Sequence, residues 1–257
     1  MKSRNRSPVV ILSLCICSLI ASIALAFEVH GAIAQKWQSL GGAGGFLRAP
    51  LTNETATPDG VGRFNHFQGG SIYWTPALGA HEVHGFIRDK WASLGWERGF
   101  LGYPITDESG TPDGVGRFNH FQGGSIYWTP KTQAHEVHGL IRDKWASLRW
   151  ERGFLGYPLT DETVTPDGIG RFTHFQGGSI YWTPKTQAHE VHGFIRDKWG
   201  ALRWERGALG YPTSDEFQEG RFRRSNFQHG FIRWSEGTGA VASVSLEGDV
   251  HLNPVSN

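Results

Sequence analysis

The spacing of apolar residues changes twice within every 54 residues of this chain. Ile87, Trp91 and Leu94 fall at i, i+4 and i+7, the apolar stripe of a two-turn helix. Further along the period shortens to two: in Ser125–Thr129, Ile126 and Trp128 share one strand face while Ser125 and Tyr127 share the other. Val115–Phe121 reads as the partner strand, joined to it through Gln122-Gly123-Gly124 as a hairpin. Thr111-Pro112-Asp113-Gly114 is a chain reversal in which proline presets the first dihedral and Asp and Gly complete the turn. Leu101-Gly102-Tyr103-Pro104 is a second turn, with leucine as its buried anchor, and His81–Phe86 reads as a short extended stretch. Gly95 is a natural helix stop; Arg149 and Arg203 stand in its place in later copies, where the stop is expected to rest on the glycine four residues on.

The whole pattern recurs in register. Residues 135–188 repeat residues 81–134 with seven differences over 54 positions, and Trp37, Trp91, Trp145 and Trp199 lie one period apart. Such a period marks small supersecondary units joined in series, each a short helix with three or four strands, and not a single-core enzyme. The units run 27–80, 81–134, 135–188 and 189–241. Both end units are degenerate: the first has Leu47-Arg48-Ala49-Pro50 at the leucine turn, and the fourth lacks the Thr-Pro-Asp-Gly turn and carries Arg233 where Tyr181 stands. Residues 242–257 carry no repeat and read as a mobile tail.

The first 26 residues change the composition. Lys2, Arg4 and Arg6 precede an apolar run from Val9 to Leu25, and Ala24-Leu25-Ala26 offers small residues two apart, as in a secretory signal cleaved after Ala26. The repeat register agrees, because Phe27-Glu28-Val29-His30-Gly31 is the first copy of His81-Glu82-Val83-His84-Gly85. A retained membrane anchor is the other reading of that run. Cys15 and Cys17 both lie within it, so the remaining 231 residues contain no cysteine and depend on packing alone. Those residues hold 22 lysines and arginines against 24 acids, which leaves no basic patch for nucleic acid or an anionic membrane.

Nearly every residue with chemical potential recurs in register, whereas a catalytic constellation is usually unique in a chain. Trp37, Trp91, Trp145 and Trp199 lie on the apolar helix face and read as core, as do Trp74, Trp128, Trp182 and Trp234 beside isoleucine in the strands. Trp96, Trp150 and Trp204 differ, standing in polar loops where the first copy has only Gly42-Ala43. With Glu97 and Arg98, Glu151 and Arg152, and Glu205 and Arg206 beside them, these indoles are candidate platforms for a sugar ring. The bland alternative is that each indole covers the adjoining unit. His81-Glu82-Val83-His84 is not the helical zinc-protease pattern; in a strand its histidines point to opposite faces. Asp107-Glu108 and Asp161-Glu162 are adjacent acids, unsuited to glycosidase chemistry across a cleft. No serine sits in a Gly-x-Ser-x-Gly context, no phosphate loop is present, and no cofactor is implied. Asn53-Glu54-Thr55 is a formal glycosylation sequon.

These units resemble the LGFP repeat, named for its Leu-Gly-Phe-Pro turn. Leu-Gly-Tyr-Pro stands at 101–104, 155–158 and 209–212, Gly-Arg-Phe at 116–118, Phe-Gln-Gly-Gly-Ser-Ile-Tyr-Trp at 121–128, and Ala-His-Glu-Val-His-Gly at 134–139. The resemblance covers residues 27 to about 241. It implies a mainly β protein with a short helix per repeat, its four units stacked as an open linear array; a closed four-bladed, propeller-like ring is the alternative. It also implies the cell envelope of actinobacteria, where such repeats accompany mycolyltransferases or wall hydrolases and are thought to bind the wall polymer. No catalytic domain accompanies the repeats within these residues. The expectation is a secreted, non-catalytic protein holding a cell-wall glycan polymer at several weak sites, with no membrane span after cleavage. A structural or adhesive surface role toward envelope proteins is the alternative.

Overall fold

The computed structural model describes residues 27–245; residues 1–26, which the sequence reads as a secretory signal, and residues 246–257 lie outside them. Four helices of nine residues each open a unit: α1 (Gly31–Ser39), α2 (Gly85–Ser93), α3 (Gly139–Ser147) and α4 (Gly193–Ala201). Each is followed by one 3-10 turn and a four-stranded antiparallel meander. The first sheet is β1 (Thr55–Ala56), β2 (Arg63–Phe67), β3 (Gly70–Thr75) and β4 (Gly79–His84); the second is β5 (Ser109–Gly110), β6 (Arg117–Phe121), β7 (Gly124–Thr129) and β8 (Gln133–His138). The third is β9 (Thr163–Val164), β10 (Arg171–Phe175), β11 (Gly178–Thr183) and β12 (Gln187–His192). The fourth is β13 (Phe217–Glu219), β14 (Phe222–Phe227), β15 (Gly230–Ser235) and β16 (Gly239–Val244). The expected hairpin is β6–β7, with Arg117 opposite Trp128 and Phe121 opposite Gly124.

His-Glu-Val-His closes each of the first three sheets as its last strand, so Val83 lies opposite Ser71 and Val137 opposite Ser125. The boundaries at 80/81, 134/135 and 188/189 therefore fall inside strands. Residues 242–244, expected to be tail, belong to β16, where Ala242 pairs with Ile232 and Val244 with Gly230. A free strand edge of β15 is thereby paired, which is the physical reason the chain stays ordered past its last repeat motif.

A nine-residue helix is marginal by itself, and α2, α3 and α4 are packed on both sides. Ile126 joins Ile87 and Trp91 in one core, whereas Tyr127, on the opposite face of the same strand, joins Ile141 and Trp145 in the next. Sheets and helices thus alternate as layers, and each inner sheet is covered on both faces. Among the described residues, hydrogen bonds and ion pairs between units join only consecutive units. The array is open. At its far end Arg233, exposed, replaces the buried tyrosine on a face with no following helix among the described residues.

Two devices lock each junction. Asp107 accepts from the β4 edge at Glu82 N (3.2 Å) and pairs with Lys36 on α1 (2.8 Å) and with His81 (3.3 Å). Asp161 and Asp215 repeat this with Lys90 and His135, and with Lys144 and His189. The adjacent acids therefore cap an exposed sheet edge. Burial alone would raise the Asp107 carboxyl, but hydrogen bonds from His81 and Lys36 overcome it and hold the group well below the usual range.

The second device is a tyrosine knob. The Tyr157 hydroxyl donates to Asp113 in the preceding Thr-Pro-Asp-Gly turn (2.7 Å) and lies 2.8 Å from the Thr111 hydroxyl. Tyr103 reaches Thr57 and Asp59, and Tyr211 reaches Thr165 and Asp167, in the same way. Gly116 must be glycine because a Cβ there would lie 2.8 Å from the Tyr157 ring. Tyr157→Phe is expected to cost about 1–3 kcal/mol, the range for a lost hydrogen bond to a charged group, read as a lower midpoint in urea with unchanged fold. The first unit has Ala49 at the knob position, and the fourth has no such turn to receive one.

Candidate functional site

The sequence singles out the tryptophan loops at 96–98, 150–152 and 204–206. Gly95, Arg149 and Arg203 all adopt left-handed backbone (φ 95°, 75° and 75°), so the helices end at the same place whether or not glycine is present. The glycine four residues on does not carry the stop. Its role is close approach, since a Cβ on Gly153 would run into the Leu148 carbonyl. Trp96, Trp150 and Trp204 follow in the left-handed region too (φ 58°, 55° and 56°), a strained setting for an aromatic residue.

That backbone folds each indole onto its neighbours. Trp96 is half-buried, edge-on to Trp91 (5.2 Å) and parallel to Tyr73 of the preceding unit (6.2 Å), with the Arg88 guanidinium 5.1 Å from its ring centre. Trp150 and Trp204 repeat the arrangement under Arg142 and Arg196. Glu97 is only 8% exposed and lines the cleft at the junction, while Arg98 is exposed. Glu151 and Glu205 are buried alike, and Arg152 and Arg206 face solvent. The three candidate residues of each loop therefore point to different surroundings: a packed aromatic stack, a cleft and open water.

A different constellation is concave and exposed. Phe86, at the second position of α2, turns away from the Ile87–Trp91 stripe, is 58% exposed, and stacks parallel on Trp128 (5.4 Å, 12°). The strand tryptophans were expected in the core, yet Trp74, Trp128, Trp182 and Trp234 are half-buried. Beside the Phe86–Trp128 pair lie His84, Glu108 and Arg117, enclosing about 160 Å³, and a shallower cleft continues past them to Phe46. Arg117 is there because it sits opposite Trp128 in the strand register. His84 Nδ1 lies 2.8 Å from Glu82, its Nε2 3.2 Å from Glu108, and Arg117 pairs with Glu108. Burial would lower the His84 pKa, but the Glu82 and Glu108 carboxylates raise it above the ordinary value. Phe46 closes the far side, tilted on the His84 ring at 4.7 Å.

The leucine turns, hairpins and recesses recur together, and the LGFP repeat model matches residues 47–99, 101–153, 155–207 and 209–245. The chain belongs to the LGFP repeat family. LGFP repeats are repeats of cell-envelope proteins. No curated protein matches the chain. Among solved structures, it is similar to virginiamycin B lyase from Staphylococcus aureus, at 10% identity over 75% of this chain and 55% of that one, with a TM-score of 0.15. It is similar also to a streptogramin B lyase, at 9% identity over 76% of this chain and 54% of that one, with a TM-score of 0.16. The chain thus spans about half the length of either lyase, and at these scores the likeness bears on neither fold nor activity.

The recess is present in three LGFP units. In the third, Phe100 lies 4.7 Å from His138, with Glu162, Arg171 and Trp182, and Leu140 replaces the phenylalanine. In the fourth, Phe154 lies 4.6 Å from His192 and Phe194 stacks on Trp234 at 5.1 Å, with Glu216 and Arg223 beside them, around about 170 Å³. The first unit has Ala32 at the Phe86 position, so its Trp74 has no aromatic partner there. One sequence signal could have found the recess: an apolar residue recurring just off the helix stripe, at 86, 140 and 194.

One pair in each inner junction has the look of a nucleophile and its base. His66 Nδ1 lies 2.7 Å from the Ser71 hydroxyl, as His120 does from Ser125 and His174 from Ser179. Each serine is fully buried and also accepts from an arginine, Arg88 Nε at 2.6 Å in the first case. A substrate carbonyl cannot reach that oxygen, so the pair pins the helix to the preceding sheet. Burial, then the nearby Arg88 charge, push His66 down to about 4, and His120 and His174 follow it. Among the described residues no cluster of three His, Cys, Asp or Glu suits a metal, and no helix is long and apolar enough to cross a membrane.

Proposed function

We propose that this LGFP array is a secreted, non-catalytic protein that holds a cell-wall polysaccharide, or a peptidoglycan-linked polymer, at its aromatic recesses. The observation that carries the reading is the recess itself: an exposed phenylalanine stacked on a half-buried indole beside a His–Glu–Arg cluster in two units, with Leu140 in the matching place beside the same cluster in a third. A sugar ring presents an apolar face and a rim of hydroxyls. The Phe86–Trp128 pair offers the first a platform, and Glu108, Arg117 and His84 offer the second acceptors and donors. Three weak sites on one array raise the effective concentration at a repetitive polymer, so avidity exceeds single-site affinity by about 10²–10⁴-fold. In this reading the tryptophan loops are a second contact, through Arg98, Arg152 and Arg206 and the outer edges of Trp96, Trp150 and Trp204.

The test is co-sedimentation with purified peptidoglycan–arabinogalactan, with chitin and cellulose as controls. Phe86→Ala, Leu140→Ala and Phe194→Ala together change only exposed side chains, so the fold should persist, and retention should fall at least about tenfold. Trp96→Ala, Trp150→Ala and Trp204→Ala form the second arm and assign the loops a share of that loss. Full retention by the recess variant refutes the assignment. Retention abolished by protease treatment of the wall material moves the reading to a protein partner.

A further inference from the structure

We propose that the cleft at the first junction, between the turn of the first unit and the tryptophan loop of the second, binds a primary alkylammonium of the kind at the end of a lysine side chain. The cleft is lined by Asp59, Val61, Pro76, Ala77, Glu97 and Tyr103, with Thr75 and Gln122 at its margin. One wall is apolar, and the other carries two carboxylates with no lysine or arginine among the lining residues. A lysine side chain has the same division, four methylenes behind a compact ammonium.

The two carboxylates differ in what they already do. Asp59 is engaged, accepting from Thr57, from the Val61 amide and from Tyr103. Glu97 is more than nine-tenths buried, faces the cleft, and makes no hydrogen bond or ion pair with another described residue, its exposed neighbour Arg98 included. A mostly buried carboxylate held only by its own backbone amide is costly, and a cation seated against it removes that cost. Burial, with the charge of Asp59 adding to it, raises the Glu97 pKa against its own backbone amide and the Arg98 charge.

The other junctions differ from the first at one position of this lining. Position 77 is alanine, but its counterparts one and two periods on are Lys131 and Lys185, both exposed. The second and third junctions thus carry an exposed lysine at this position, which pairs with neither Glu151 nor Glu205 among the described residues, where the first has only a methyl group. A calcium ion fits less well, since it needs six to eight oxygen ligands and both Asp59 oxygens already accept hydrogen bonds. The cleft shares no residue with the recesses, so its fate is separate from theirs.

The experiment is a titration of the isotopically labelled chain followed by NMR, with N-acetyl-lysine amide as ligand, N-acetyl-norleucine amide as its uncharged homologue, and calcium chloride alone. The lysine probe should shift the Val61 and Ala77 resonances saturably and the norleucine probe should not. Glu97→Gln should weaken binding about tenfold or more, the loss of a charge-assisted contact. Ala77→Lys should weaken it by placing a like charge beside the two carboxylates, in a fold that already accepts lysine at this place twice. No shift at Val61 and Ala77, an equal response to norleucine, an unchanged affinity in both variants, or a response to calcium alone would each overturn the proposal.

Discussion

Trp145→Ala is expected to destabilise the array by about 3–5 kcal/mol, the range for removing a large aromatic side chain from a closed core. Trp145 is fully buried, packs edge-on against Tyr127 of the preceding unit (4.7 Å) and Trp150 (5.2 Å), and meets Phe175 at 5.3 Å. Its indole nitrogen donates to the Gly156 carbonyl at 3.1 Å, fixing the leucine turn. One side chain therefore ties a helix, a turn and two units, and its loss should uncouple the halves of the array as well as weaken them. Calorimetry should show a lower and broader transition, split where the second unit meets the third, as expected where only nearest neighbours couple. Trp37→Ala supplies the comparison: Trp37 is half-buried on the helix that has no preceding sheet, and should cost markedly less. Equal losses at the two positions would contradict the layered core.

Acidification should weaken the fold well before ordinary carboxylates titrate. His66, His120 and His174 stand near 4 in the folded chain against 6.5 when unfolded, so the neutral ring is the folded form. Their contribution is complete above pH 6.5 and is lost as pH falls toward 4. One pKa unit corresponds to about 1.4 kcal/mol, so a step from pH 7 to 5 removes on the order of 2 kcal/mol per copy. His84, His138 and His192 act in the opposite sense, because their raised pKa values add stability below 6.5. Burial opposes that rise, so the first set prevails. Urea unfolding at pH 7 and at pH 5 measures the difference, and His66→Asn, His120→Asn and His174→Asn together should flatten it. Asparagine keeps an acceptor near the serine hydroxyl but has no proton to gain.

Much of the array was legible in the sequence because each unit states its own rules locally. The Ile87–Trp91 stripe, the hairpin from 117 to 129, the Thr-Pro-Asp-Gly reversal and the leucine anchor all follow from spacing and turn chemistry. What spacing does not state is which neighbour covers a face. Trp96 sits in a polar loop by sequence, yet Tyr73, more than twenty residues earlier in another unit, lies against it. Glu97 is buried for the same reason, and a lone acid in a polar stretch carries no periodic signal of burial. Trp128 misled in the other direction: it shares a face with Ile126 and packs partly against that core, but the strand's end opens onto the recess, where Phe86 stacks on it. Arg149 and Arg203 show a third limit, since a left-handed residue need not be glycine when the surrounding turn holds it there.

The tyrosine knob has a consequence for how copies of this molecule meet one another. A surface that clasps a different surface on an identical neighbour is a head-to-tail contact, and in solution such contacts propagate into filaments unless they close. Each junction here is of that kind, joined in sequence only because the chain links the units. The first unit ends the series on one side with Ala49, and the fourth ends it on the other by losing the receiving aspartate turn. Two molecules brought end to end therefore offer neither tongue nor groove. Inserting both features by mutation would turn a fixed-length strut into a monomer for fibre growth, with mass in solution rising with concentration where the present chain should stay a single size.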